Sequence, residues 1–136
     1  MKNIFALALL FIFLSACNSA NNQHPSVQYE EKKTSLKEIE TSSPLKFLKV
    51  KGSFRGNLVN QTVVEGEIIN NATLVTYKDI QLQIIFRDKE GSVIEKQKQV
   101  LDETIKPNST SNFKIKMSHV KEANTVSVDI TGAVAD

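Results

Sequence analysis

Residues 44–136 of this chain predict an all-β fold, an antiparallel β-sandwich of six or seven strands. Three observations carry the prediction. Ile80, Leu82, Ile84 and Phe86 fall on alternate positions, with Asp79, Gln81, Gln83 and Arg87 around them. A strand sends successive side chains to opposite faces, so this stretch buries one face and wets the other. The same period recurs before and after it, between turn signals at short spacing, with no strong helical pattern in the domain.

The elements follow in order. Pro44 opens the domain, and Leu48, Val50, Gly52 and Phe54 alternate with Lys49, Lys51 and Arg55 as a first strand. Gly56 and Asn57 form a turn. Gln61 to Asn70 is a second strand, with Val64, Gly66 and Ile68 on one face and Glu65 and Glu67 on the other. A glycine inside a strand signals a bulge or the close approach of another backbone. Asn70 and Asn71 begin a connection through Thr73, and the third strand starts at Val75 or Tyr77. Asp88-Lys89-Glu90-Gly91 is a hairpin turn. Val93 to Leu101 carries Lys96, Gln97, Lys98 and Gln99. A helix is the alternative there, but the preceding hairpin favours a strand, and lysines suit an exposed edge. Pro107-Asn108-Ser109 turns the chain into Phe113, Ile115 and Met117. His119 to Asn124 is a loop or single helical turn, and Val126, Val128 and Ile130 make the last strand, with Gly132 near its end. The domain spans about 92 residues, close to the ~100 of an immunoglobulin-like sandwich.

The chain ahead of the domain reads differently. Lys2 and the apolar run Ile4 to Leu14 have the form of a signal peptide over residues 1–16, too short to span a bilayer. Leu14-Ser15-Ala16-Cys17 follows, and Cys17 is the single cysteine of the chain. This resembles the lipobox of bacterial lipoproteins. The resemblance implies that Cys17 is alkylated by diacylglycerol, becomes the first mature residue and is acylated again, by palmitate or a similar chain. Two or three acyl chains anchor a protein stably where one does so only marginally. Asn18 rather than Asp follows the cysteine, which by the same resemblance favours the outer membrane over the inner.

Residues 17–43 read as a disordered tether. The segment is polar and mixed in charge, and too poor in large apolar residues to offset its ordering entropy. As a flexible coil, about 26 residues reach roughly 28 Å, and at most about 90 Å when stretched. Ser35-Leu36-Lys37-Glu38 has capping-box spacing, enough for one frayed helical turn, with Leu36 and Ile39 left undocked.

Within the domain, Gly66-Glu67-Ile68-Ile69-Asn70, Tyr77-Lys78-Asp79-Ile80, Ile84-Ile85-Phe86-Arg87-Asp88, Gly91 and Ile105-Lys106-Pro107 followed by Phe113 resemble the FxLYD-type domain. That family is immunoglobulin-like and occurs in envelope proteins, often on a lipoprotein anchor. Ile84, Phe86 and Arg87 stand where the naming motif has Phe, Leu and Tyr, and Asn108 where Gly commonly follows the proline. The resemblance implies a fold and an envelope setting, with no catalytic residues to carry over.

Composition and spacing exclude several function classes. A formal net charge of +2, about +1 once Lys2 leaves with the leader, is no nucleic-acid footprint. The absence of Trp weakens sugar stacking, and one cysteine permits no internal disulfide. His24 is a linker residue. His119 is the sole histidine of the domain, so it provides no metal-site spacing, and its neighbours Ser118 and Asp129 form no recognisable triad. Glu65 and Glu67 lie about 7 Å apart along one strand face, a spacing open to glycoside chemistry, but among lysines they read as a solvated face. Asn60, Asn71 and Asn108 head glycosylation-type tripeptides that read as turn chemistry in a bacterial lipoprotein. The expectation is therefore a membrane-anchored, non-catalytic interaction or structural module, with no cofactor and no metal. It would bind an envelope protein through an exposed strand edge or the face around Gln81 and Gln83. The alternative is a small-molecule or glycan-binding domain.

Overall fold

The computed structural model describes residues 25–56 and 60–136. Helix α1 spans Pro25–Ser42 and a single turn, α2, spans Pro44–Phe47. Six strands follow: β1 Leu48–Gly56, β2 Gln61–Asn70, β3 Tyr77–Arg87, β4 Val93–Leu101, β5 Ser109–Ser118 and β6 Thr125–Ala135. They form two three-stranded antiparallel sheets, in the orders β1-β2-β5 and β4-β3-β6. The fold is an all-β sandwich. Its order matches the A-B-E and C′-C-F strands of an immunoglobulin sandwich, with β5 crossing back to the first sheet after β3 and β4 have built the second.

The core lies where the alternating residues placed it. Ile80, Leu82, Ile84 and Phe86 are fully buried and face Val64, Ile68 and Phe113 of the other sheet. Phe54 meets Phe86 edge to face, with ring centroids 5.7 Å apart. Gly66 sits opposite Gly52 in the β1–β2 ladder. A Cβ on Gly66 would lie 2.0 Å from the carbonyl oxygen of Lys51, so the strand glycine marks a close backbone approach.

Two bulges in the β3–β6 ladder change which residues face inward. Tyr77 and Ile80 are both buried although three residues apart, and Asp79 between them has φ 50°. The ladder slips by one residue between Lys78 and Gln81 and recovers between Gln81 and Leu82, where Thr131 is the extra residue on β6. Each bulge inverts the parity of its own strand. Val126, Val128 and Ile130 therefore face the core on one side of the bulge, and Ala133 and Ala135 on the other.

The turns follow their residues. Asp88 Oδ1 accepts from the backbone N–H groups of Glu90 and Ser92, and Gly91 takes φ 86°. Asn60 and Asn108 hold φ 55° and 51°, the left-handed region that asparagine tolerates. Asn57 lies outside the described residues, as do the leader, Leu14, Ser15, Ala16 and Cys17, and the first part of the tether with His24.

One expectation is corrected. Residues 17–43 were expected to be disordered apart from one frayed turn, yet the chain is helical from Pro25 to Ser42. Ser35 and Glu38 lie inside this helix rather than at its start. Proline suits the first helical position because its missing N–H has no partner there anyway. Leu36 and Ile39 are 38% and 48% exposed and stay out of the core, as expected. What fixes the helix to the sandwich is a buried acid.

Candidate functional site

That acid, Glu40, is 1% exposed. It occupies the last turn of α1, where the negative end of the helix dipole disfavours a carboxylate. Its stabilisation comes from outside the helix. The loop between β2 and β3 turns three consecutive backbone N–H groups toward it, a concavity suited to an anion. Glu40 Oε1 accepts from the N–H of Thr73 at 2.8 Å and its hydroxyl at 3.0 Å, and Oε2 accepts from the N–H groups of Leu74 at 2.9 Å and Val75 at 3.0 Å. Burial pushes the Glu40 carboxyl up, but these four hydrogen bonds outweigh it and hold the group below its ordinary value.

Two further residues complete this end of the sandwich. The buried Tyr77 hydroxyl donates to the Glu40 backbone carbonyl at 2.6 Å. Burial, and then the Glu40 charge, pushes its phenol up. Asn70 is also fully buried. Its Nδ2 donates to the carbonyls of Val75 (3.0 Å), Ile105 (3.0 Å) and Lys106 (3.1 Å), and its Oδ1 accepts from the N–H of Ala72 at 2.8 Å. Asn70 and Glu40 thus satisfy the loop from two sides, and no described buried polar side-chain atom lacks a partner.

The residues weighed in the sequence do not converge. Glu65 and Glu67 lie on the outer face of the first sheet, each paired with a cation of β1, at 3.1 Å to Arg55 and 3.4 Å to Lys51. Between them a shallow groove of about 680 Å³ crosses the sheet, floored by Gly52 and Gly66 and edged by Lys51, Glu65, Glu67 and Lys114. Ser118 and His119 are exposed at the end of β5, in one sheet, while Asp129 is exposed on β6, in the other. No three His, Cys, Asp or Glu side chains among the described residues are grouped to hold a metal ion. No described helix is long and apolar enough to cross a membrane.

The strand edge is the remaining candidate. Among the described residues β4 pairs with β3 alone, and β1, β5 and β6 likewise have one partner strand each. In that ladder Glu95, Gln97 and Gln99 stand opposite the buried Phe86, Ile84 and Leu82, while Lys96, Lys98 and Val100 stand opposite Ile85, Gln83 and Gln81 on the outer face. A bulge at Ile94 ends the regular ladder, and Val93 comes opposite Arg87. Val93, Ile94 and Val100 are 45%, 38% and 55% exposed. Sequence reasoning found this edge but missed Glu40. The polar stretch before the domain shows no periodic apolar face, and a single docking carboxylate leaves no pattern.

Fold and site together define a six-stranded immunoglobulin-type sandwich with a helix latched to one end and with β4 as the edge strand that exposes the most large apolar side chains among the described residues. No known family model matches the chain, and no curated protein matches it. Two solved structures align with it. A member of the DUF1425 family from Shewanella sp. pv-4 aligns at 12% identity over 65% of this chain and 81% of its own, with a TM-score of 0.47. The Salmonella enterica trimeric lipoprotein SadB aligns at 10% identity over 80% and 75%, with a TM-score of 0.49. The assignment of the fold rests on the strand ladders themselves rather than on these likenesses.

Proposed function

We propose that this chain is a lipid-anchored β-sandwich of the bacterial cell envelope that works by contact rather than by catalysis, as a protein-interaction module of the FxLYD type. The anchor is Cys17, held at the outer membrane. The observation that carries the contact reading is the β4 edge: among the described residues it pairs with β3 alone, and of the four edge strands it exposes the most large apolar side chains, Val93, Ile94 and Val100. An open edge offers backbone donors and acceptors to an added strand. The groove over Gly52 and Gly66 is a weaker candidate for a small ligand, because Glu65 and Glu67 at its rim are already paired within the fold.

Recovery of partners from membranes tests the contact reading. Wild type is compared with a variant carrying proline within Val93–Leu101 at a position whose N–H faces away from β3. Loss of a specific partner in a variant that still folds, as judged by circular dichroism, is expected, and equal recovery would overturn the reading. Labelling with a fatty-acid analogue tests the anchor. Wild type takes up label and Cys17→Ser does not, and label retained in the variant removes the anchor.

A further inference from the structure

The β4 edge also carries a distinct charge pattern. Along its outer face the order is apolar, Lys96, Lys98, apolar, with Val93 and Ile94 at one end and Val100 at the other. Lys96 and Lys98 face Ile85 and Gln83 on β3, and neither joins an ion pair among the described residues. The cations of the β1 edge differ, since Lys51 and Arg55 are already matched by Glu67 and Glu65.

The same chain contains the complementary pattern. The outer face of β2 runs Val63, Glu65, Glu67, Ile69, which is apolar, acid, acid, apolar, and it is flanked by the lysines and arginine of β1 and by Lys114 and Lys116 of β5. The first sheet therefore demonstrates how such a strand sits beside a basic one. β4 presents the basic half of that arrangement with no acidic strand beside it.

The geometry points to an extended acidic segment of a partner protein as the occupant of this edge, with the alternating pattern apolar-x-acid-x-acid-x-apolar. This rests on the contact reading above and names the chemistry of the partner. Glu95 to Leu101, beyond the bulge, is the regular stretch on which the segment would pair. A second copy of the chain is disfavoured as occupant. Two β4 strands set antiparallel over their full length bring Lys96 against Lys98 twice, and like charges directly opposite destabilise a sheet pair. The lysines thus repel a like strand and admit an acidic one.

The full chain, purified in detergent, is titrated with a synthetic peptide alternating Thr with Val, Glu, Glu and Val in that order. A twin peptide carries Lys in place of both Glu. The pattern reads the same in both directions, so strand polarity does not enter. The Glu peptide is expected to slow amide exchange over Glu95–Leu101 and to bind at least about tenfold more tightly than its twin. Lys96→Glu/Lys98→Glu, at two exposed positions, is expected to reverse the preference. Equal binding, no binding, or protection on another strand overturns the proposal, as does self-association of the chain through β4. Partner recovery separates the two levels of failure. Loss on blocking the edge with proline but not on charge reversal removes the acidic partner and leaves the contact reading. Recovery unaffected by either variant removes the contact reading itself.

Discussion

Glu40→Ala is the perturbation that most directly tests how the helix is held. It removes the acceptor of four hydrogen bonds and leaves the N–H groups of Thr73, Leu74 and Val75 without their partner. Hydrogen bonds to a charged group contribute about 1.5–3 kcal/mol each. They do not add, because burying the carboxylate costs several kcal/mol and because water can reach the exposed Thr73 once the acid is gone. Leaving a buried donor unpaired costs about 1–3 kcal/mol, and with three backbone donors orphaned together the upper end, about 3 kcal/mol, is expected. For a domain of this size that lowers Tm by about 12–24 °C. The assay is thermal and urea unfolding of the full chain at neutral pH, with amide exchange read at Thr73, Leu74 and Val75. A loss under about 0.5 kcal/mol, the scale of an ordinary surface change, would refute the reasoning, as would unchanged exchange at those three amides.

Acid should reveal the same group. The carboxyl titrates below its ordinary value when folded, so its contribution is fully present above the unfolded pKa and is lost as pH falls through the folded one. The stability gap between wild type and the titration-silent Glu40→Gln should therefore close on acidification below the ordinary carboxylate range, and a gap independent of pH would contradict the assignment. Tyr77→Phe removes the bond to the Glu40 carbonyl and should cost about 1 kcal/mol in urea unfolding. Gly66→Ala drives a methyl into the Lys51 carbonyl and should cost about 3 kcal/mol or more, or prevent folding, as seen by circular dichroism. Asp79→Val forces a β-branched residue into φ 50° and should cost about 1–3 kcal/mol by denaturant unfolding.

The strands were legible because each carries its own signal. The alternation from Ile80 to Phe86 needs only the pleat and a dry face, and Gly66 announces its close contact because no other residue fits there. β4 was settled by its neighbour: its polar middle fits a helix as well as a strand, but the Asp88–Gly91 turn returns the chain antiparallel to β3. The bulges were hidden because parity changes in two strands at once, so Tyr77 reads as out of phase with Ile80 until the β6 partner is known. α1 was hidden for a different reason. Hydrophobic periodicity detects helices that dock by an apolar stripe, and this helix docks by one carboxylate whose partners are backbone amides more than thirty positions away. Such donors leave no trace in residue identity.

The latched helix alters what a pull on the N-terminal side of the chain would do. A slack coil would absorb tension by uncoiling, whereas the eighteen residues of α1 form a rod of about 27 Å. Load along that rod divides at Glu40, one part passing through Thr73, Leu74 and Val75 into the loop joining the two sheets and the other along the chain through α2 into β1. Mechanical stress would then bear on the crossing between the two layers as well as on β1, where a slack coil would load β1 alone.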